Sequence, residues 1–227
     1  MRQRYGAGFL PAVHQSTELR SAGAPILHLN KSSIAPDLDT RALLDFTQTL
    51  NRQYATARPD DDRLSARIAA GELAFRMQSA APEAIDLAQE TAATHHLYGL
   101  DRDETRGFGT QCLIARRLVE RGVRFVQLYH GCGNVGWDTH GNNDGQHQTN
   151  ALQTDQPIAG LLEDLAARGL LDSTLVLWGG EFGRTIYSQG GLSKDNYGRD
   201  HHPRCFTMWM AGGGSKGGTV YGETDDF

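Results

Sequence analysis

The chain predicts an α/β fold carrying a helical insertion, on three observations. First, a helix–glycine–strand unit occurs twice: Glu120-Arg121-Gly122-Val123 leads into an apolar strand at 124–129, and Ala167-Arg168-Gly169-Leu170 leads into one at 174–178. Second, each strand runs into a polar, glycine-rich segment, and a third strand at 205–210 ends in Gly212-Gly213-Gly214. Third, residues 39–96 carry helical periodicity, as expected of an insertion within the domain. Alternation of helix and strand is the pattern of an α/β sheet.

Residues 1–36 hold six glycines and prolines, with one short apolar stretch at 26–29, and read as irregular. From Asp39 the pattern is helical, with Leu43, Leu44, Phe46 and Leu50 on one face. A second helix is expected over 59–78 and a third from Pro82, the three forming an insertion or cap that is polar outside. The helix at 105–121 is expected to stop at Gly122, and the one carrying Ile158, Leu161, Leu162 and Leu165 at Gly169. A glycine after the last helical residue suits a left-handed cap, and the preceding arginine complements the helix dipole.

Bulk composition excludes several classes. The 227 residues are 39% hydrophobic and 22% charged, enough for a core and unlike a disordered chain. A net charge of −5 without a basic run argues against a nucleic-acid partner. There is no apolar run long enough for a transmembrane segment, and no signal peptide is visible after Met1-Arg2-Gln3-Arg4. Cys112, Cys132 and Cys205 form no paired motif, so buried free thiols are expected.

The chemistry concentrates between residues 130 and 202, where five of the nine histidines stand beside Asp138, Asp144, Glu181 and Asp200. Imidazole with carboxylate suits zinc, manganese or a similar divalent ion. Asp138 and His140 stand two apart, so in extended backbone both point to one side. His147 offers itself as a ligand, as a group behind the ligands, or as a surface residue. Glu181 follows an apolar strand among glycines that let the backbone approach an ion closely. Arg184, three residues on, either grips a phosphate or sulfate group or pairs with Glu181. His130 follows the first strand, and His201 and His202 precede the third. Ligands in open α/β sheets bind beyond the carboxyl ends of strands, where these residues are expected to gather.

Several segments resemble a bacterial family, domain of unknown function 1501. They are Gly8-Phe9-Leu10-Pro11-Ala12, Tyr98-Gly99-Leu100-Asp101, the stretch from Ala115 through Arg121-Gly122-Val123 to Val126, Trp137-Asp138-Thr139-His140, Trp178-Gly179-Gly180-Glu181-Phe182-Gly183-Arg184-Thr185, and Gly198-Arg199-Asp200-His201-His202-Pro203. That family is similar to the alkaline phosphatase and sulfatase superfamily. The resemblance implies an alkaline-phosphatase-like, mostly parallel sheet flanked by helices over 1–227, with the helical insertion at 39–96. It implies a metal centre for phosphate or sulfate esters, small-molecule or polysaccharide. Asp138, His140 and one of His201 or His202 look like ligands of a first metal, and Glu181 like a ligand of a second. The ion expected is zinc, manganese, magnesium or calcium, and Arg184 or His130 would steady negative charge.

The sequence departs from that pattern in places. The superfamily has Asp-His where this chain has Glu181-Phe182, so one second-metal ligand is missing. Residues 194–197 look like a small insertion before Gly198. The superfamily's nucleophile lies near the N-terminus of the domain, and nothing before Gly8 supplies it, so the chain is expected to be a fragment of a longer parent, which the family resemblance implies is exported. Two functions follow as expectations: a metal-dependent ester hydrolase, incomplete here, or a non-catalytic metal- or anion-binding protein with a degraded site.

Overall fold

The computed structural model describes residues 9–11, 14–20, 26, 39–131, 136–188 and 190–224. Cys132 and most of the irregular start lie outside these. The chain divides into two compact units, Met1–Asp86 and Leu87–Phe227.

The first unit is built on helices α1 (Thr40–Thr56) and α2 (Asp62–Ile85), which pack on one another. Each opens on an aspartate that caps a free backbone N–H: Asp39 accepts from Ala42, and Asp61 from Arg63. Between the helices, Arg41 Nη1 pairs with Glu72 at 3.1 Å, and the buried Gln48 donates Nε2–H to the Ile68 carbonyl at 2.6 Å. The sequence pattern predicts a new helix from Pro82. Instead α2 runs through it and stops within one turn, where the Asp86 N–H bonds the Pro82 carbonyl at 3.0 Å. The outer surface is less polar than expected, since Leu43, Phe46, Leu50 and Tyr54 of α1 are exposed.

The second unit holds α3 (Ala92–Leu97), α4 (Asp103–Glu120), α5 (Asn143–Ala167) and four short strands: β1 (Leu175–Gly179), β2 (Gly183–Arg184), β3 (His201–His202) and β4 (Met208–Gly212). Helix α4 starts on Asp103 and Glu104 and carries Arg117 in its last turn, charges that oppose its dipole at both ends. Gly122 and Gly169 take φ of +84° and +67°, the left-handed conformation expected of them just past α4 and α5. The core packs Tyr98, Phe108, Cys112 and Leu113, with Ile158 and Leu161 of α5 and Trp178 of β1 against them. Burial pushes the Cys112 thiol up to about 12, so it stays an inert thiol, and Cys205 is also unpaired.

A buried ionic cluster joins α4 to α5. Arg116, 1% exposed in its side chain, reaches Glu90 at 2.8 Å, Glu120 at 2.8 Å and Asp164 at 2.9 Å. Tyr98 donates its hydroxyl to Asp164 at 3.0 Å, and burial together with that carboxylate raises the phenol well above its ordinary range. Arg168 closes the network on Asp164 at 2.7 Å.

The expected mostly parallel sheet flanked by helices is overturned. The described residues form two antiparallel two-stranded sheets, β1 with β4 and β2 with β3, in a helix-rich chain. The reason lies in strand pairing. A parallel sheet needs 124–129 beside β1, joined by the α5 crossover. Residues 124–129 enter no ladder, and Phe125 is 81% exposed. β1 instead takes β4 as its partner, Leu177 opposite Met210 and Trp178 opposite Trp209. One face of this ribbon turns Trp178 to the core, while Leu175, Leu177, Met208 and Met210 remain exposed.

Candidate metal centre

Asp138 and His140 flank Thr139 in the loop that leads into α5. Thr139 is 2% exposed and donates its hydroxyl to Asn143 Oδ1 at 2.5 Å. With the middle residue turned inward, its two neighbours turn outward together, as the two-residue spacing predicts.

This loop is laced to residues 196–199. The Asn142 N–H bonds Asn196 Oδ1 at 2.7 Å, the Asn143 N–H bonds the Tyr197 carbonyl at 2.9 Å, and the Arg199 N–H bonds the Thr139 carbonyl at 3.0 Å. Tyr197 also donates its hydroxyl to Asp144 at 2.8 Å. Gly198 makes the approach possible, because a Cβ there would lie 2.2 Å from the carbonyl carbon of His140. The segment read as a small insertion therefore fastens the His140 loop, a role that no sequence signal announced.

Beyond Gly198 the chain enters β3, which pairs antiparallel with β2, Arg184 opposite His201 and Gly183 opposite His202. Directly opposed residues share a face. Arg184 and His201 are thus presented together to Asp138, and the sequence's open choice between His201 and His202 falls to His201. Asp200 supports the turn, its carboxylate accepting the His201 N–H at 2.7 Å and its carbonyl the Thr185 N–H at 2.9 Å.

Three side chains converge on one oxygen, Asp138 Oδ1. His140 Nε2 lies 2.9 Å away, His201 Nε2 2.9 Å and Arg184 Nη1 2.5 Å. The two imidazoles stand 5.5 Å apart between ring centres, and Phe182 packs on His201 at 4.9 Å. Partial burial alone would push the Asp138 carboxyl up. The hydrogen bonds from His201 and His140 and the charge of Arg184 outweigh it, and hold the group down at about 2 from an ordinary 3.8.

The donor set fits a metal. Among the described residues, Asp138, His140 and His201 are the group whose ligand atoms all lie within 4.8 Å of one another. One carboxylate with two imidazoles is a set that zinc and manganese accept, and three protein ligands leave a position for a further group. A carboxylate oxygen offers about two lone pairs, so three groups on Asp138 Oδ1 crowd a single acceptor.

The other candidates fall elsewhere. Glu181 touches the cluster through Arg184, whose Nη2 it holds at 2.9 Å, so Arg184 is both its partner and that of Asp138. His202 keeps Nδ1 buried and unbonded on the far side of β3. His147 turns Nδ1 back to the Asn143 carbonyl at 2.8 Å and packs on Trp137 at 5.6 Å. His130 accepts the Trp137 indole N–H on Nδ1 at 3.1 Å, which leaves the proton on Nε2 to bond Gln153 at 3.0 Å. Burial, only partly opposed by Gln153, lowers its pKa, so His130 is a neutral member of an aromatic stack with Phe108 and Trp137.

Fold and site together define a helix-rich protein with an exposed Asp-His-His cluster, guarded by an arginine, on a small β-ribbon. The chain belongs to the family described as "Protein of unknown function (DUF1501)", which matches it over residues 1–227. Comparison with characterised proteins and with solved structures gives no match. No helix among the described residues is long and apolar enough to cross a membrane.

Proposed function

We propose that Asp138, His140 and His201 bind one divalent metal ion, and that this centre serves a hydrolase-like protein acting on phosphate or sulfate esters. The observation that carries the reading is the convergence of three ligand atoms of compatible chemistry within 4.8 Å. Two imidazoles favour zinc or manganese over magnesium and calcium, which prefer oxygen. Bound there, the ion would supply Lewis-acid polarisation of an ester oxygen. The chain's own residues do the rest. Asp138 brings the negative charge that fixes a cation, and with an ion bound each imidazole would present Nε2 as the ligand atom and carry its proton on Nδ1 instead. Arg184 stands at the rim, where its fork of N–H donors matches a phosphate or sulfate group.

Phe182 favours a second reading, a one-ion centre that binds an anion without turning it over. It packs on His201 at the position where the superfamily pattern places a second-metal histidine. One pair of assays separates the two readings. Zinc or manganese binding is measured by calorimetry, and aryl phosphate and aryl sulfate are then offered to the loaded protein. Binding with turnover lost in Asp138→Asn supports the hydrolase. Binding without turnover supports the second reading, and no binding overturns both.

A further inference from the structure

We infer that Arg184 is a built-in competitor for the metal position, an internal cation that must leave Asp138 before a divalent ion can bind. The inference rests on the metal-site reading above. Its starting point is the crowding at Asp138 Oδ1, where the guanidinium lies 2.5 Å from the same atom that meets both imidazoles at 2.9 Å. A zinc ion sits about 2.0–2.2 Å from carboxylate oxygen and imidazole nitrogen. An ion bound through Asp138 Oδ1 therefore competes with Arg184 Nη1 for the lone pairs of that one oxygen.

The guanidinium cannot vacate that place by losing a proton, since it stays charged at all ordinary pH. It has to move, and the structure gives it somewhere to go. Its second nitrogen, Nη2, is held by Glu181 at 2.9 Å, and its plane lies over the Phe182 ring at 5.6 Å. Both anchors stand on the same turn as Arg184 and neither involves Asp138. Released from Asp138, Arg184 stays tethered at the rim, with Nη1 turned outward and able to meet an oxyanion. Loading the metal thus also uncovers a donor for an anion, and by linkage the anion strengthens the metal in return.

The test is the zinc affinity of the full chain by calorimetry at fixed ionic strength, with the fold of each variant checked by circular dichroism. Arg184→Gln removes the competing charge and is expected to bind zinc on the order of fivefold more tightly than wild type, the scale of one partly exposed ion pair. Arg184→Lys, which cannot span Asp138 and Glu181 together, is expected to fall between the two and serves if the Gln variant does not fold. Equal or weaker binding by the variant overturns it while leaving the metal site standing. Absence of binding in wild type and variant alike overturns both.

Discussion

The carboxylate of Asp138 and the imidazole of His201, 63 residues apart in sequence, meet at 2.9 Å. The β2–β3 register produces this contact, since it sets His201 opposite Arg184 and sends His202 to the other face. His201→Ala is therefore expected to weaken zinc binding by at least about tenfold. His202→Ala is expected to leave the affinity unchanged. Calorimetry on the two variants checks this, and equal losses would place the ligand assignment in error.

Acid separates Asp138 from an ordinary carboxylate. Its folded pKa is depressed, to about 2. The stability it contributes is therefore fully present above the unfolded value, about 3.9, and is lost as pH falls from there through the folded value. Between about pH 4 and pH 2, wild type should lose stability that Asp138→Asn never had, so their denaturation midpoints converge. A difference that persists unchanged to the bottom of that window would contradict the hydrogen-bonded carboxylate.

Arg116 supports the second unit from inside. It is 1% exposed and faces Glu90 and Asp164, themselves 9% and 10% exposed in their side chains. Arg116→Ala leaves those carboxylates buried without their counter-charge, and such losses cost about 3–5 kcal/mol. Urea denaturation is expected to show a midpoint lowered accordingly, and a loss well under 1 kcal/mol would argue that water reaches the cluster.

Gly198 tests the lacing of the two loops. A methyl group there meets the His140 backbone at 2.2 Å, and neither strand of chain has side-chain slack to absorb it. Gly198→Ala is expected to push the His140 loop outward, costing about 1–3 kcal/mol and weakening zinc binding. Its helix content, read by circular dichroism, should hold, because α4 and α5 pack on their own core.

Much of the local structure was legible in the sequence, and the reason is that its causes are local. Gly122 and Gly169 end their helices as expected because a left-handed residue is needed there whatever surrounds it. The spacing of Asp138 and His140 places them on one side because two-residue alternation is intrinsic to extended backbone. The parallel sheet was not legible, because strand pairing is settled over long range: 124–129 has a strand's composition and takes no ladder partner, while β1 joins β4. His130 and His147 drew attention as histidines, yet their ring nitrogens are engaged by Trp137, Gln153 and the Asn143 carbonyl, neighbours that composition cannot reveal. The choice of His201 likewise needed a register, and the fastening role of Asn196 and Tyr197 needed the fold.

The most direct measurement is the metal stoichiometry of the purified chain, by elemental analysis after zinc or manganese loading and exhaustive dialysis. One ion per chain is expected, lost in both Asp138→Asn and His201→Ala. No retained metal in wild type, or one ion retained equally by those two variants, would contradict it.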